Sequence, residues 1–83
     1  MKFVILNVLV IKSSGTWSGE YTKIGINPTE ILNVEKATIR GYDKPCSIIT
    51  FKRIPYGQIS GNSYYCVGNV YSIITRINET LHA

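Results

Sequence analysis

The chain has 83 residues, of which 45% are hydrophobic and 17% charged, and its formal net charge is +4. A chain of this length forms one domain, residues 1–83, with a small core, and its low charged fraction favours self-association through the remaining apolar surface. One histidine and two separated cysteines exclude the usual zinc ligand sets, so we expect no metal and no other cofactor. The mild positive charge favours an anionic partner, although the nine Lys and Arg residues form no block.

The first segment, Phe3 to Ile11, contains one polar residue, Asn7, and is rich in β-branched side chains. This pattern predicts a buried strand. Lys2 followed by this apolar run also resembles the start of a signal peptide, but no small-residue cleavage motif follows it. The run is too short to span a bilayer, so we expect no membrane contact, and two isolated thiols favour a cytoplasmic protein.

Lys12 to Gly19 reads as a flexible polar loop that carries the single tryptophan, Trp17. A tryptophan between two glycines is either a contact residue, because indole is a large and stiff surface, or a lid that folds back over the core. The sequence leaves both alternatives open.

Glu20 to Ile26 alternates apolar and polar residues, as a half-buried strand does. Asn27 and Pro28 then form a stiff corner, since Pro28 fixes its own φ and restricts the residue before it. A strand from Ile31 to Arg40 follows, with a β-bulge expected near Glu35 and Lys36 because the apolar side chains change face there.

Gly41 to Pro45 predicts a turn, and Cys46 to Arg53 predicts a strand antiparallel to the preceding one. Ile54 to Asn62, rich in Pro, Gly and Asn, predicts a long hairpin loop, and Ser63 to Val67 the last strand. Cys46 and Cys66 form a disulfide only if their strands are neighbours, and free buried thiols are the favoured interpretation.

A helix is expected from Val70 to Leu81, with Asn69 as its N-cap. Its apolar residues follow helical spacing: Val70, Ile73, Ile74, Ile77 and Leu81. The chain therefore predicts an α+β fold that is mainly β: a twisted antiparallel sheet or small open barrel of about five strands with one C-terminal helix.

No catalytic constellation is present in the sequence. The single histidine, His82, is the penultimate residue, where its position would be poorly fixed. The five acids are scattered, and no phosphate-binding loop motif occurs. We therefore expect a protein that is not an enzyme.

Basic and aromatic residues interleave in two stretches, around Arg40 and across Lys52, Arg53 and Tyr56. Arg and Lys side chains hold phosphate oxygens, and aromatic rings stack on bases. The alternative is that the charges are solvated strand ends and the tyrosine a strand former. With Trp17 as a second stacking candidate, these five residues are the predicted ligand site.

Three blocks carry a resemblance to known proteins: I-N-P-T-E-I, C-S-I-I-T-F-K and Y-Y-C-V-G-N-V-Y-S-I-I-T-R-I-N. The pattern of hydrophobic residues in these blocks resembles that of a class of small phage-encoded proteins. It is similar, more loosely, to that of the short FlbD-type flagellar proteins. The likeness covers Ile24 to Asn78, while the N-terminal strand, the Trp17 loop and the Ile54–Asn62 loop depart from the flagellar type. It implies a small β-rich module of the accessory or anti-defence kind, acting in the host cytoplasm as an inhibitor or as a sponge for nucleotide signals.

The expected function is non-catalytic binding of a phosphate-bearing, nucleotide-like ligand by a homo-oligomer. Lys52 and Arg53 would hold charge, Tyr56 or Trp17 would stack, and Arg40 would be a second cation; Arg53→Ala is expected to weaken binding at least tenfold. A stoichiometric protein–protein inhibitor of a host protein and a weak single-stranded nucleic-acid binder are the alternatives.

Overall fold

The computed structural model describes residues 3–52 and 62–82. These residues form one five-stranded antiparallel sheet with the strand order β2-β1-β5-β4-β3 and one C-terminal helix. The strands and helices are β1 (Val4–Ile11), β2 (Trp17–Ile26), a 3₁₀ turn (Pro28–Glu30), β3 (Ile31–Ile39), β4 (Tyr42–Phe51), β5 (Ser63–Val67) and α1 (Val70–Leu81). The predicted fold class is confirmed.

The side chains of β1 divide between the two faces of the sheet. Val4, Leu6 and Val8 are buried on the face that α1 covers, which we call the helix face. Ile5 points to the opposite face and is 50% exposed. The main core lies on the helix face, between the strands and two helix residues, Ile73 and Ile77.

The corner between β2 and β3 has the structure expected from Asn27 and Pro28. The Asn27 side chain accepts a hydrogen bond from the Thr29 N–H at 3.1 Å, and Pro28 begins the 3₁₀ turn. Pro28 is suited to this position because its missing N–H would have no partner in the first turn. The turn brings the end of β2 to the start of β3, although these strands are the two edges of the sheet.

The helix is confirmed with the predicted bounds. The Asn69 side-chain oxygen accepts a hydrogen bond from the Ser72 N–H at 2.8 Å, which satisfies one of the free donors of the first turn. Arg76 donates a hydrogen bond to the main-chain carbonyl of Ile5 in β1. This bond fixes one side of the helix over β1.

The two edge strands also meet at a second place. Thr16 and Arg40 form a parallel bridge, and the Trp17 N–H donates to the Arg40 carbonyl at 3.0 Å. The start of β2 and the end of β3 are diagonal corners of the sheet, and twist lifts such corners toward the same face. They meet over the face opposite α1, where Trp17 packs on a second buried cluster: Leu9, Ile39, Tyr42 and Cys46.

Three local predictions were wrong. The turn predicted over Gly41 to Pro45 is shorter, and β4 already begins at Tyr42, because Gly41 adopts φ +88° and reverses the chain tightly. The bulge predicted near Glu35 and Lys36 is absent from this regular stretch of β3; the register shifts lie instead between Ile31 and Asn33 and between Ala37 and Ile39. Both shifts lie near the strand ends, where the sheet curls.

The predicted polar loop over Lys12 to Gly19 was also wrong at its C-terminal end. β2 begins at Trp17 rather than at Glu20, because Trp17 pairs with Ile11 and with Arg40. Gly19 has φ +91° and lies where the pairing of β1 with β2 shifts register. An irregular strand of this kind contains the small and polar residues that are typical of a loop, which explains the wrong prediction. Most of the predicted Ile54–Asn62 loop lies outside the described residues.

Candidate functional site

An open pocket lies between the central strands β1 and β5. Its volume is about 460 Å³, and it is lined by Val8, Leu9, Ile11, Lys12, Ser63, Tyr64 and Tyr65. Small-molecule pockets in proteins measure about 300–1,000 Å³. The volume of this pocket falls within that range, which suits a ligand the size of a nucleotide. We call it the inter-strand pocket.

The pocket exists because β1 and β5 separate. Within the described part of the chain, the two strands pair at Val8 and Cys66 alone. Beyond that pair β5 continues along β4, with Tyr64 opposite Ile49 and Ser63 opposite Thr50. The other strand, β1, continues along β2 and shifts register between Leu9 and Ile11. Each strand keeps its outer neighbour, and a gap opens between them.

The lining residues come from both faces of the sheet. Tyr64 packs against the core of the helix face, whereas Leu9 and Tyr65 belong to the cluster on the opposite face. A pocket with both kinds of wall lies in the gap between strands rather than on one surface.

Lys12 supplies the positive charge of the pocket. Its main chain is held in a turn: the Lys12 N–H donates to the Thr16 carbonyl at 2.8 Å, and the Lys12 carbonyl accepts from the Gly15 N–H at 2.9 Å. The side chain is exposed. Ser63 supplies a hydroxyl on the other wall, 3.5 Å from the Thr50 hydroxyl.

Arg40 approaches the same region through the curl of the sheet. Thr16 bridges to Arg40 on one side and accepts from Lys12 on the other. At the usual strand spacing the main chains of Lys12 and Arg40 are therefore about 10 Å apart. Both side chains are exposed. Arg40 does not line the pocket, but its long side chain makes it a candidate second cation for an anion such as a phosphate.

Trp17 and Arg40 are the two predicted site residues that the structure brings together. Trp17 is not a freely exposed contact residue: its indole N–H donates to the Glu20 carbonyl at 2.9 Å. Its ring packs against Tyr21 and, edge-on, against Tyr42, with centroid distances of 5.2 and 5.0 Å. The lid alternative is the correct one, because Trp17 covers the cluster on the opposite face.

The other three predicted residues are Lys52, Arg53 and Tyr56, of which the structure describes Lys52. Lys52 is exposed, and its main-chain N–H donates to the Glu30 carbonyl at 2.8 Å. It follows Phe51, at the same end of the sheet as Lys12. Arg53 and Tyr56 lie outside the described residues.

Sequence reasoning missed Lys12, Ser63, Tyr64 and Tyr65 as pocket residues. The sequence predicts Lys12 as part of a polar loop and the other three residues as part of an ordinary strand. No neighbouring residue in the chain distinguishes them as pocket residues. The pocket depends on β1 and β5, which are far apart in sequence, lying side by side with Val8 opposite Cys66, and no local pattern marks that pairing.

The two cysteines are free and buried. Cys66 pairs with Ser47, the neighbour of Cys46, so the two thiols point to opposite faces of the sheet and cannot form a disulfide. Burial raises the pKa of the Cys46 thiol. Burial, together with the nearby Cys46, raises the pKa of the Cys66 thiol to about 12. Both stay neutral at physiological pH, which makes them poor nucleophiles.

Among the described residues, Tyr42, beneath Trp17, is the third group whose pKa is shifted. Its pKa is raised, first by burial and then by the neighbouring Tyr21. Tyr42 is buried in the cluster that Trp17 covers. A neutral phenol packed among other rings stabilises the fold, so we assign Tyr42 a structural role.

The described residues contain no group of three or more His, Cys, Asp or Glu side chains arranged to hold a metal ion. Among those residues, no helix has the length and apolarity needed to cross a membrane. The fold and pocket define a small, mainly β protein with a ligand-sized opening between its central strands. Comparison with protein-family models, curated proteins and solved structures found no match.

Proposed function

We propose that this chain is a cytoplasmic, non-catalytic binding protein that sequesters a nucleotide-like, phosphate-bearing ligand as a homo-oligomer. The inter-strand pocket is the observation that carries the proposal, since it combines ligand size with an exposed cation, a hydroxyl and two tyrosines. A role as a sponge for nucleotide signals in the manner of small phage proteins accords with this site.

Each part of the pocket has a role in the proposed complex. Lys12 pairs with a phosphate, and Arg40 stabilises the same charge from the other side of Thr16. Tyr65 stacks on the base, and Ser63 hydrogen-bonds the sugar or phosphate. Lys52 adds a cation at the same end of the sheet, and Arg53 and Tyr56, which follow it in the chain, remain proposed contacts.

Isothermal titration with ADP as the probe tests the proposal. Lys12→Ala is expected to weaken ADP binding at least tenfold, because a phosphate loses its nearest cation. Lys44→Ala is the matched control: Lys44 is also exposed, but it precedes Cys46 on β4, toward the opposite end of the sheet. Equal affinities for the two variants contradict this site, and native mass spectrometry that finds no added mass after exposure to cell extract contradicts the function.

One observation favours the protein–protein inhibitor as a second candidate. Phe3 and Ile5 are 53% and 50% exposed on the face opposite α1, and both pack over Gly25 of β2. Adjacent exposed apolar side chains are typical of protein contacts. This candidate predicts a protein partner in pull-downs that is lost with Ile5→Glu and insensitive to salt, whereas Lys12→Ala leaves it bound.

A further inference from the structure

The helix carries a second apolar stripe that its own sheet does not cover. Tyr71, Ile74 and Leu81 are 82%, 41% and 46% exposed, and Asn78 between them is exposed as well. Their spacings of three, four and three residues are those of the a and d positions of a heptad, with Asn78 at an a position. We call these four residues the helix seam.

The seam lies on a defined side of the molecule. Going around the helix, the buried residues Ile73 and Ile77 separate the seam from Arg76, which reaches Ile5 in β1. The seam therefore faces away from β1, toward the side of β3, which α1 also contacts.

The edges of the sheet are poorly suited to self-association. The free stretch of β2 is interrupted at Gly19 and carries Lys23, and β3 has register shifts near both ends and carries Glu35 and Lys36. Irregularities and charges of this kind prevent edge-to-edge pairing. A contact between copies therefore falls to a surface such as the seam.

We propose that the helix seam docks on the seam of a second copy of this chain, with the two helices parallel about a two-fold axis. An a/d stripe is complementary to itself, and the seam has no charged side chain, which matters for two copies that each carry +4. The parallel arrangement places Asn78 against Asn78 of the second copy, where the amides hydrogen-bond. An antiparallel arrangement would bury Asn78 against Ile74 instead, leaving its amide unsatisfied.

The area of this contact sets its strength. A 12-residue helix is about 18 Å long. A contact along its whole length is at most at the low end of specific interfaces, about 1,000 Å² in total. A contact this small is expected to give a weak dimer, so the experiment covers the micromolar range. The surface is separate from the inter-strand pocket, so this inference stands independently of the ligand.

Sedimentation equilibrium over about 5–500 μM tests the dimer. The wild type is expected to shift from monomer to dimer across this range, and Tyr71→Lys and Ile74→Glu to raise the dissociation constant at least tenfold. Tyr71 is so exposed that its substitution cannot disturb the core, which circular dichroism verifies. A chain that stays monomeric throughout, or a dimer that Tyr71→Lys leaves unchanged, overturns the proposal.

Cysteine cross-linking tests the orientation. Asn78→Cys is expected to give an oxidised, covalent dimer, whereas the control Glu79→Cys, one residue further around the helix, is not. The native thiols are buried and do not compete. Cross-linking that appears only in a mixture of Ile74→Cys and Asn78→Cys overturns the parallel arrangement. ADP titration of Tyr71→Lys separates the two proposals, because ligand affinity is expected to be unchanged while dimerisation is lost.

Discussion

The main-chain N–H of Trp17 donates to the carbonyl of Arg40 at 3.0 Å, which joins the two edge strands of the sheet at diagonal corners. This contact places the Trp17 ring over the cluster opposite the helix and brings Arg40 toward Lys12. The 3₁₀ turn joins the other diagonal, on the helix face. A single twisted sheet thus has apolar cover on both faces, and the exposed Lys12 lies at the pocket between its central strands.

Gly41 is the residue on which this corner depends. It adopts φ +88°, and a Cβ added there would lie 3.2 Å from Cγ2 of Thr16. Gly41→Ala is therefore expected to cost about 2 kcal/mol or more, combining a left-handed backbone with a steric contact. Gly15→Ala is the matched control, because Gly15 has φ +86° with nothing within 4 Å, and about 1 kcal/mol is expected. Urea unfolding measures both, and equal losses contradict a close contact at this corner.

Trp17→Ala is expected to destabilise the fold by about 2–4 kcal/mol, because the ring is the cover of the second cluster and contacts Tyr21 and Tyr42. Trp17→Phe should recover part of the loss by keeping a ring there. Tyr71→Ala, at an 82% exposed position, is the control and should change the unfolding free energy of the monomer by about 0.5 kcal/mol or less. A Trp17→Ala loss no larger than the control value contradicts the lid role.

The features that were predictable from sequence are those that depend on neighbours in the chain. The helix follows from apolar spacing and the Asn69 cap, and the corner from Asn27 and Pro28. The Trp17–Arg40 contact joins residues far apart in sequence and depends on how the whole sheet curls, so no local pattern encodes it. The pocket was missed for the same reason: Lys12 and Ser63 come near each other only because β1 and β5, far apart in sequence, lie side by side in the sheet.

The Asn69 cap provides a test of how far the helix depends on its first turn. Asn69→Ala removes the acceptor for the Ser72 N–H and is expected to cost about 1 kcal/mol. Asn69→Asp keeps an acceptor oxygen at the same place and should cost much less. Thermal unfolding of the two variants measures the difference, and equal melting temperatures would show that the cap bond contributes nothing to stability.

Alkaline pH should destabilise the protein through Cys66. Burial raises the pKa of this thiol from 9.0 to about 12, so the unfolded chain loses the proton at a lower pH than the folded chain. Between about pH 9 and 12 the folded state holds more protons, and stability falls as pH rises, by up to ~1.4 kcal/mol per pH unit for one group. Cys66→Ala should be less stable at pH 7, because a buried side chain is truncated, yet should lose stability less steeply above pH 9.

Tyr42 and Cys46, whose pKa values are also raised, leave a residual slope in the Cys66→Ala variant. Cys46→Ala therefore serves as the comparison, because it removes a thiol whose pKa is raised by burial alone. Urea unfolding at pH 7, 9 and 11 gives the slopes, which are expected to be shallowest for Cys66→Ala. Parallel slopes for the wild type and Cys66→Ala would mean that the buried thiol does not control the alkaline limit of the fold.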